Sequence, residues 1–276
     1  MTQFTIGTVH LNVANLDNQL RFYQEVIGLQ VHHNNGTTAG LGVGADDLLR
    51  LYATPDRQRV RGITGLYHFA ILVPSRLQLA KSLRHLAETQ TRLQGLSDHY
   101  VSEAIYLADP EGNGIEIYHD RPQADWYDAN GDFVLNTAPM DVDGVMGTLA
   151  AQNATWEGLP AGTIMGHIHL HVAAIPQTET FYRQVLGMDI MTNIGSATFM
   201  SYDGYHHHVG ANIWGGRALP STPTLGLEKY NLHSHDDSRL QTILANLDAI
   251  GTTITETDGT YTFHDPSHNQ IVLQSA

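Results

Sequence analysis

Apolar and polar residues alternate with a period of two in several short runs of the chain. Residues 9–13 and 168–172 follow this pattern, and residues 67–73 form a similar apolar run, which together predict three β-strands. Stretches with a helical period of hydrophobic positions occur from 75 to about 88 and from about 237 to 250. The pattern therefore predicts a protein that mixes strands and helices.

Two sequence motifs occur twice, which indicates a duplicated plan. Residues 21–29 (RFYQEVIGL) are echoed by residues 180–188 (TFYRQVLGM), each with a glycine where a helix would stop. A second motif, DPEGNGIE at residues 109–116, is echoed by DPSHNQIV at residues 265–272. We therefore predict four copies of a strand, a helix and about three short strands. The copies span residues 5–55, 64–120, 163–216 and 225–275.

The duplication also defines the predicted domains. Residues 1–120 form an N-terminal module of two βαβββ copies, and residues 163–276 form a C-terminal module of two more. Residues 121–162, rich in Asp, Asn, Gly and Pro, are predicted to be a linker with a short helix near residues 142–152. The expected fold class is α+β.

Composition excludes several kinds of chemistry. The 276 residues include no cysteine, so a metal would be held by His, Asp, Glu or Tyr rather than by a thiolate. The 17 histidines are many for this length, and several are clustered. A formal net charge of −14 opposes nucleic-acid binding. The N-terminus has no basic start followed by an apolar segment, and no run of about 18 apolar residues occurs, so a cytoplasmic protein without membrane contact is expected.

The four copies with their repeated motifs resemble the vicinal-oxygen-chelate superfamily, which includes glyoxalase I, bleomycin-resistance proteins and type I extradiol dioxygenases. The resemblance covers nearly the whole chain. It implies that the βαβββ copies pair into two curled mixed-sheet cups, and that the concave face of a cup holds a metal ion. In this family the ligands come from the first strand of each copy and from the last strand of one or both.

The second copy carries the most specific match, which is to the signature of extradiol dioxygenases. It departs from that signature only at Ser97. By this resemblance His99 and Tyr106 orient a bound catecholate and stabilise charge on the ring and on later intermediates. The most similar group is that of the catechol-2,3-dioxygenase-like two-module proteins of Bacillus. The matching residues are Gly95, His99, Ile105, Tyr106, Asp109, Pro110, Gly112 and Glu116.

The resemblance also selects the metal ligands. The family's position for a first-strand ligand falls on His68 in the second copy and on His167 in the third. The same position falls on Thr8 and Asn231 in the first and fourth copies, and neither suits a catalytic metal. The carboxylate of the last strand is Glu116 in the second copy.

The second and third copies together supply two imidazoles and one carboxylate, because the fourth copy has Val272 at the position of Glu116. This donor set suits Fe(II), with Mn(II) as the alternative, and leaves positions open for a substrate and dioxygen. The predicted site joins the two halves of one chain or two subunits of a homodimer, and the sequence leaves this choice open.

The three consecutive histidines at residues 206–208 are predicted to lie on the last strand of the third copy. A period of two would place His206 and His208 on one face. By resemblance His208 is the acid/base residue, with His206 as the alternative. His169 and His171 share the predicted strand face of His167 and are expected to line the pocket.

The expected function is extradiol cleavage of a small catechol-type aromatic with dioxygen as the co-substrate. One alternative on the same fold is a glyoxalase-like isomerase or lyase, with His208 or a neighbour as a fourth ligand. The other is a non-enzymatic small-molecule-binding protein. His10 begins a strand of the first copy but lies two positions out of register, so strand packing or pocket lining is expected for it.

Overall fold

The computed structural model describes residues 4–150 and 155–276, which form four βαβββ copies. The strands are β1 (Phe4–Val13), β2 (Gln30–Asn34), β3 (Thr38–Val43), β4 (Asp46–Ala53), β5 (Gly62–Ile63), β6 (Gly65–Leu72), β7 (Leu93–Asp98), β8 (Ser102–Ala108), β9 (Gly114–Asp120), β10 (Ala138–Pro139), β11 (Ile164–His171), β12 (Asp189–Asn193), β13 (Ala197–Ser201), β14 (Val209–Asn212), β15 (Gly216–Ala218), β16 (Gly226–Ser234), β17 (Thr255–Thr257), β18 (Thr260–His264) and β19 (Gln270–Ser275). The helices are α1 (Leu16–Arg21), α2 (Arg76–Glu88), α3 (Val142–Ala150), α4 (Ile175–Thr180) and α5 (Asp237–Ala249). The predicted α+β fold of four copies is confirmed.

Each of the two large curled sheets combines one copy from each half of the chain. The first has the order β17-β18-β19-β16-β1-β4-β3-β2 and joins the fourth copy to the first. The second has the order β10-β7-β8-β9-β6-β11-β14-β13-β12 and joins the second copy to the third. Antiparallel pairs, β1 with β16 and β6 with β11, form the two junctions. The second and third copies therefore meet within a single chain.

Both predicted helices are present, and each begins after a residue whose side chain caps its N-terminus. Ser75 caps α2 and Asp236 caps α5, each accepting a hydrogen bond from a backbone N–H of the first turn. Helix α1 continues into a π-helical turn over Phe22–Ile27 and ends at Gly28, whose φ of 88° favours glycine. Helix α4 continues in the same way over Phe181–Val185. These π-helical turns coincide with the first repeated motif.

The two repeated motifs contact each other in the folded chain. The hydroxyl of Tyr23, from the first motif, donates to Asp109 Oδ2, from the second, at 2.8 Å. In the other half, Tyr182 donates to Asp265 Oδ2 at 3.2 Å. Both carboxylates are buried and also accept hydrogen bonds within their own DPxxN turns. Each of these Tyr–Asp hydrogen bonds connects a copy in one large sheet to a copy in the other.

Alternation along the central strands separates the hydrophobic core from the polar cups. On β11 the side chains of Ile168 and Leu170 belong to the main core, whereas His167 and His169 lie on the opposite face. The core is one cluster that draws buried residues from both large sheets. A polar residue on the concave face therefore does not disturb the packing between the sheets.

The segment between the halves has more structure than a linker requires. It contains a 3₁₀ turn over Gln123–Trp126, strand β10 on the edge of the second sheet, and helix α3. Helix α3 covers residues 142–150, and the remaining residues of the predicted helix lie outside the described part of the chain. Within the described ranges, no helix combines the length and apolar character needed to span a membrane.

Replacing Tyr23 with Phe should destabilise the protein, because buried Asp109 loses a hydrogen-bond donor. We expect the free energy of unfolding to fall by about 1–3 kcal/mol, measured by urea denaturation. Tyr127→Phe is the control, since Tyr127 is 41% exposed and its substitution should change stability by less than about 0.5 kcal/mol. Equal stability of the two variants would show that the Tyr23–Asp109 hydrogen bond does not contribute to the free energy of unfolding.

Candidate metal centre

Three neighbouring strands bring the predicted ligands together. His68 lies on β6, Glu116 on β9 and His167 on β11, and β6 lies between the other two strands. Ala70 of β6 pairs with Glu116 on one side and with His167 on the other, and His68 lies two residues before it on the same face. Because the side chain of Ala70 is only a methyl group, the three longer side chains have room to converge beside it.

The ligand atoms are spaced as the donors of one metal ion would be. The Nε2 atoms of His68 and His167 lie 3.0 and 3.1 Å from Glu116 Oε2, and all three ligand atoms lie within 4.8 Å of one another. Adjacent donors with bonds of about 2.1 Å are about 3.0 Å apart in an octahedral shell. Although Nε2 of His68 lies 3.0 Å from Glu116 Oε2, the two atoms are not aligned for a hydrogen bond, and a metal ion would satisfy this buried nitrogen. The residues therefore fit a divalent cation bound on one face.

Burial and mutual contact keep Glu116 and His167 in the protonation states that bind a cation. Burial by itself would raise the pKa of Glu116, but the imidazoles of His167 and His68 outweigh burial and hold this pKa well below its usual range. Burial lowers the pKa of His167 to about 4, although Glu116 opposes this shift. Near neutral pH the site thus offers buried neutral imidazole and a carboxylate.

Tyr106 and His99 form a hydrogen-bonded pair beside the triad. Tyr106 on β8 pairs with Glu116 on β9, and its hydroxyl oxygen lies 2.8 Å from His99 Nε2. Nδ1 of His99 lies 3.0 Å from the carbonyl oxygen of Asn136, which can only accept. Nδ1 therefore carries a proton, and the neutral ring accepts at Nε2 from Tyr106. Burial and the nearby Glu116 raise the pKa of the Tyr106 hydroxyl well above its usual value.

A cavity of 430 Å³ opens onto this group of residues. Residues 135–137, from the segment between the halves, contribute part of its wall. The cavity thus has a polar end at the triad, and the rest of its wall combines apolar side chains with uncharged polar ones. Its polar side chains include His68, His99, Tyr106, Glu116, His169 and His207. Its apolar side chains include Tyr67, Val101, Leu135, Ile194, Phe199 and Trp214.

The expectation that His206 and His208 share one strand face is wrong, because β14 begins only at Val209. In the irregular segment before that strand, His207 turns towards the cavity and packs on His167 with ring centroids 4.1 Å apart. Nδ1 of His208 lies 2.9 Å from Ser201 Oγ, and His208 does not line the cavity. Sequence reasoning missed His207 because it assumed a regular strand.

The other histidines of the third copy divide between two cavities. His169 lines the cavity at the triad, and its buried Nε2 has no hydrogen-bond partner. Gly210 pairs with it, and a Cβ on Gly210 would lie 2.8 Å from the His169 ring, so only glycine leaves room for the ring. His171 instead lines a neighbouring cavity, and its Nδ1 lies 2.8 Å from Asn212 Oδ1. The predicted pocket lining is thus confirmed for His169 at the triad.

The first sheet has no equivalent triad. His169 of the third copy and His10 of the first copy occupy equivalent positions. Strand pairing places His169 opposite His68 in the second sheet and His10 opposite Lys229 in the first. Lys229, rather than the predicted Asn231, is therefore the residue of the fourth copy that corresponds to His68. Both ring nitrogens of His10 have hydrogen-bonding neighbours, Tyr52 and Asn231. The triad is the single group with this metal-ligand spacing in residues 4–150 and 155–276.

The fold and the triad define the class of protein. The model of the Glyoxalase/Bleomycin resistance protein/Dioxygenase superfamily matches residues 5–117. The chain is also 41% identical, over 269 residues, to the catechol-2,3-dioxygenase of Bacillus subtilis (strain 168), and the match covers 95% of this chain and 93% of that protein. The chain belongs to this superfamily, as predicted. Within it, the chain is a catechol-2,3-dioxygenase-like member.

Solved structures show the same fold at low sequence identity. A proposed dioxygenase of Bacillus subtilis subsp. subtilis superposes with a TM-score of 0.67 at 12% identity, over 99% of this chain and 85% of that one. Glyoxalase I of Zea mays superposes with a TM-score of 0.60 at 15% identity, over 98% of this chain and 92% of that one. These likenesses concern the fold alone.

Removing a triad residue should remove the metal. His68→Ala and Glu116→Gln should each weaken Fe(II) binding by more than about 100-fold, because the remaining two donors cannot hold the ion on one face. Metal content after anaerobic loading and desalting would be measured by mass spectrometry, with circular dichroism to verify folding.

His171→Ala is the matched control, because this histidine lies on the strand of His167 but lines the other cavity. It should retain the metal content of the unmodified protein. Full metal content in His68→Ala would place the metal elsewhere, with residues 206–208 as the first candidates.

Proposed function

We propose that the protein is an Fe(II)-dependent extradiol dioxygenase that opens the ring of a catechol with dioxygen, with Mn(II) as the alternative metal. The observation that carries the proposal is the buried triad of His68, Glu116 and His167 at the polar end of a cavity, with the His99–Tyr106 pair beside it. The 41% identity to a catechol-2,3-dioxygenase supports the same assignment.

The triad would hold the ion, which when bound supplies a positive charge that favours loss of the catechol protons and a redox centre for dioxygen. His68 and Glu116 both line the cavity, so a substrate in the cavity would reach an ion held by the triad. The carboxylate and neutral imidazoles leave the ion with a net positive charge. The protein groups around the cavity then orient the substrate and handle its protons.

The Tyr106–His99 pair would orient one catechol oxygen. Since Tyr106 donates its proton to His99 Nε2, its oxygen can accept a hydrogen bond from a substrate hydroxyl. Asn136 fixes the His99 ring through Nδ1, so the pair is oriented before substrate arrives. This arrangement supports the orienting role expected for His99 and Tyr106 from the sequence.

The geometry favours His207 over His208 as the residue that takes the second catechol proton. Nε2 of His206 lies 2.8 Å from Asp120 Oδ1, to which it donates. Nδ1 of His206 lies 2.9 Å from Nδ1 of His207. In the tautomer in which His207 donates from Nδ1 to His206, Nε2 of His207 is free of a proton. Burial lowers the pKa of His207 well below its usual value, so the ring is a neutral base at pH 7.

A glyoxalase-like isomerase would require a further protein ligand. The metal-binding group found in the described residues contains three members, and His208, the expected fourth, is bonded to Ser201 outside the cavity. A binding protein that had lost its chemistry would not need the His99–Tyr106 pair beside a complete triad. The dioxygenase therefore accounts for more of the site.

The anaerobically prepared Fe(II) protein should consume one molecule of dioxygen for each catechol and form a yellow ring-opened product. An oxygen electrode and absorbance spectroscopy would follow both quantities. Glu116→Gln should consume no oxygen above background. Lack of oxygen uptake with every catechol tested, together with turnover of a hemithioacetal, would replace the proposal with the isomerase.

Substituting His207 and His208 separately should identify the base. We expect His207→Gln to lower kcat by about 100-fold or more, because a positioned base contributes at least that much, and His208→Gln to lower it by less than about tenfold. Metal content should be unchanged in both variants, which separates loss of the base from loss of iron. A larger loss of kcat in His208→Gln than in His207→Gln would instead identify His208 as the base.

A further inference from the structure

We propose that the cavity selects catechols whose ring substituent is uncharged and apolar, and that it disfavours catechols that carry a carboxylate. This inference rests on the proposed function, because it assumes that the catechol ring lies at the triad. It goes further in assigning the rest of the cavity to a substituent of defined chemistry.

The charged side chains around the cavity give a carboxylate no partner. The described residues that line it include one carboxylate, Glu116, and neither a lysine nor an arginine. A substituent carboxylate entering this space would lose its hydration without gaining an ion pair. The net charge of −14 for the whole chain adds long-range repulsion of anions.

Apolar side chains extend from the triad to the cavity mouth. Phe199 packs near the rings of His169 and His207, at centroid distances of 5.6 and 5.1 Å, which places it at the polar end. Trp214 contacts Tyr67 edge to face at 5.5 Å and is held by a 3.0 Å hydrogen bond from its Nε1 to Ser196. A substituent pointing away from the triad would meet these rings.

Three large apolar side chains stand exposed at the mouth, beside the exposed and uncharged polar residues Gln94, Asn136 and Thr137. Ile194 is 59% exposed, Trp214 is 50% exposed and Tyr67 is 39% exposed, and all three line the cavity. Covering them with an alkyl or aryl substituent would remove apolar surface from water on both molecules. The catechol ring and its two oxygens would remain at the polar end.

A second cavity, of 620 Å³, is the competing destination for an acidic substituent. It shares Tyr67, Gln94 and Gly114 with the first cavity and is lined by Arg59 and Arg61. Arg59 donates one hydrogen bond to Asn113 and keeps further N–H groups, so a carboxylate in this cavity would pair with Arg59 or Arg61. The experiment therefore has to distinguish the two cavities.

Three catechols with matched chains separate charge from polarity. Binding of 4-propylcatechol, 3-(3,4-dihydroxyphenyl)propanamide and 3-(3,4-dihydroxyphenyl)propanoate to the Fe(II) protein would be measured anaerobically by calorimetry. We expect the propyl compound to bind about tenfold more tightly than unsubstituted catechol, because burial of about two of its three carbons, at about 0.8 kcal/mol each, corresponds to slightly more than tenfold. The propanoate should bind at least about tenfold more weakly than the amide of nearly equal shape.

Variants at the mouth should change these preferences. Ile194→Arg should reverse the order of amide and propanoate, because it places a cation at the cavity mouth. Ile250→Arg is the matched control, since Ile250 is 57% exposed on another surface and gains the same charge, and it should leave the order unchanged. Trp214→Ala should remove most of the advantage of the propyl compound, whereas Trp214→Phe should retain it.

Each contrary result has a defined meaning. If the propanoate binds as tightly as the amide and Arg59→Ala or Arg61→Ala removes this affinity, acidic substituents use the second cavity and the inference is overturned. Equal binding of propyl and unsubstituted catechol would also overturn it. If the protein binds no catechol at all, unsubstituted catechol included, the proposed function fails instead.

Discussion

The negative charge of Glu116, buried to 2% exposure, is the constraint on which the site depends. A carboxylate removed from water costs several kcal/mol unless partners compensate for it. His68 and His167 are those partners, and they stand on two different strands that belong to opposite halves of the chain. The junction of β6 with β11 therefore serves two purposes at once. It completes the sheet, and it places around one carboxylate the donors that a cation requires.

The triad could be predicted from the sequence because its positions are tied to regular strands. Copy-by-copy comparison locates His68 and His167 on first strands and Glu116 on a last strand, and period-two alternation then fixes their shared face. The π-helical turns and the Tyr23–Asp109 contact could not be predicted in this way. The repeated motifs revealed that both segments matter, but only the three-dimensional structure shows that they touch.

Irregular backbone explains why the wrong histidine was expected to face the cavity. Residues 206–208 precede a strand instead of continuing it, so strict alternation does not apply to them. Strand pairing also places Lys229, and not the expected Asn231, at the position that matches His68. The contribution of Asn136 to the site was also missed, because a segment rich in turn-forming residues gives no pattern from which a contact with His99 could be predicted.

Each large sheet contains one copy from each half of the chain, and this arrangement has a consequence for biosynthesis. A nascent chain that ends before residue 163 already contains His68 and Glu116, but β6 and β1 each lack a partner along one edge. Unpaired edges of this kind invite association with other chains until they are covered. His167, the third residue of the proposed site, arrives on β11, the strand that covers the edge of β6. Under the proposed function, stable metal retention would thus be a property of the finished chain, and it would report that both halves have been made and joined.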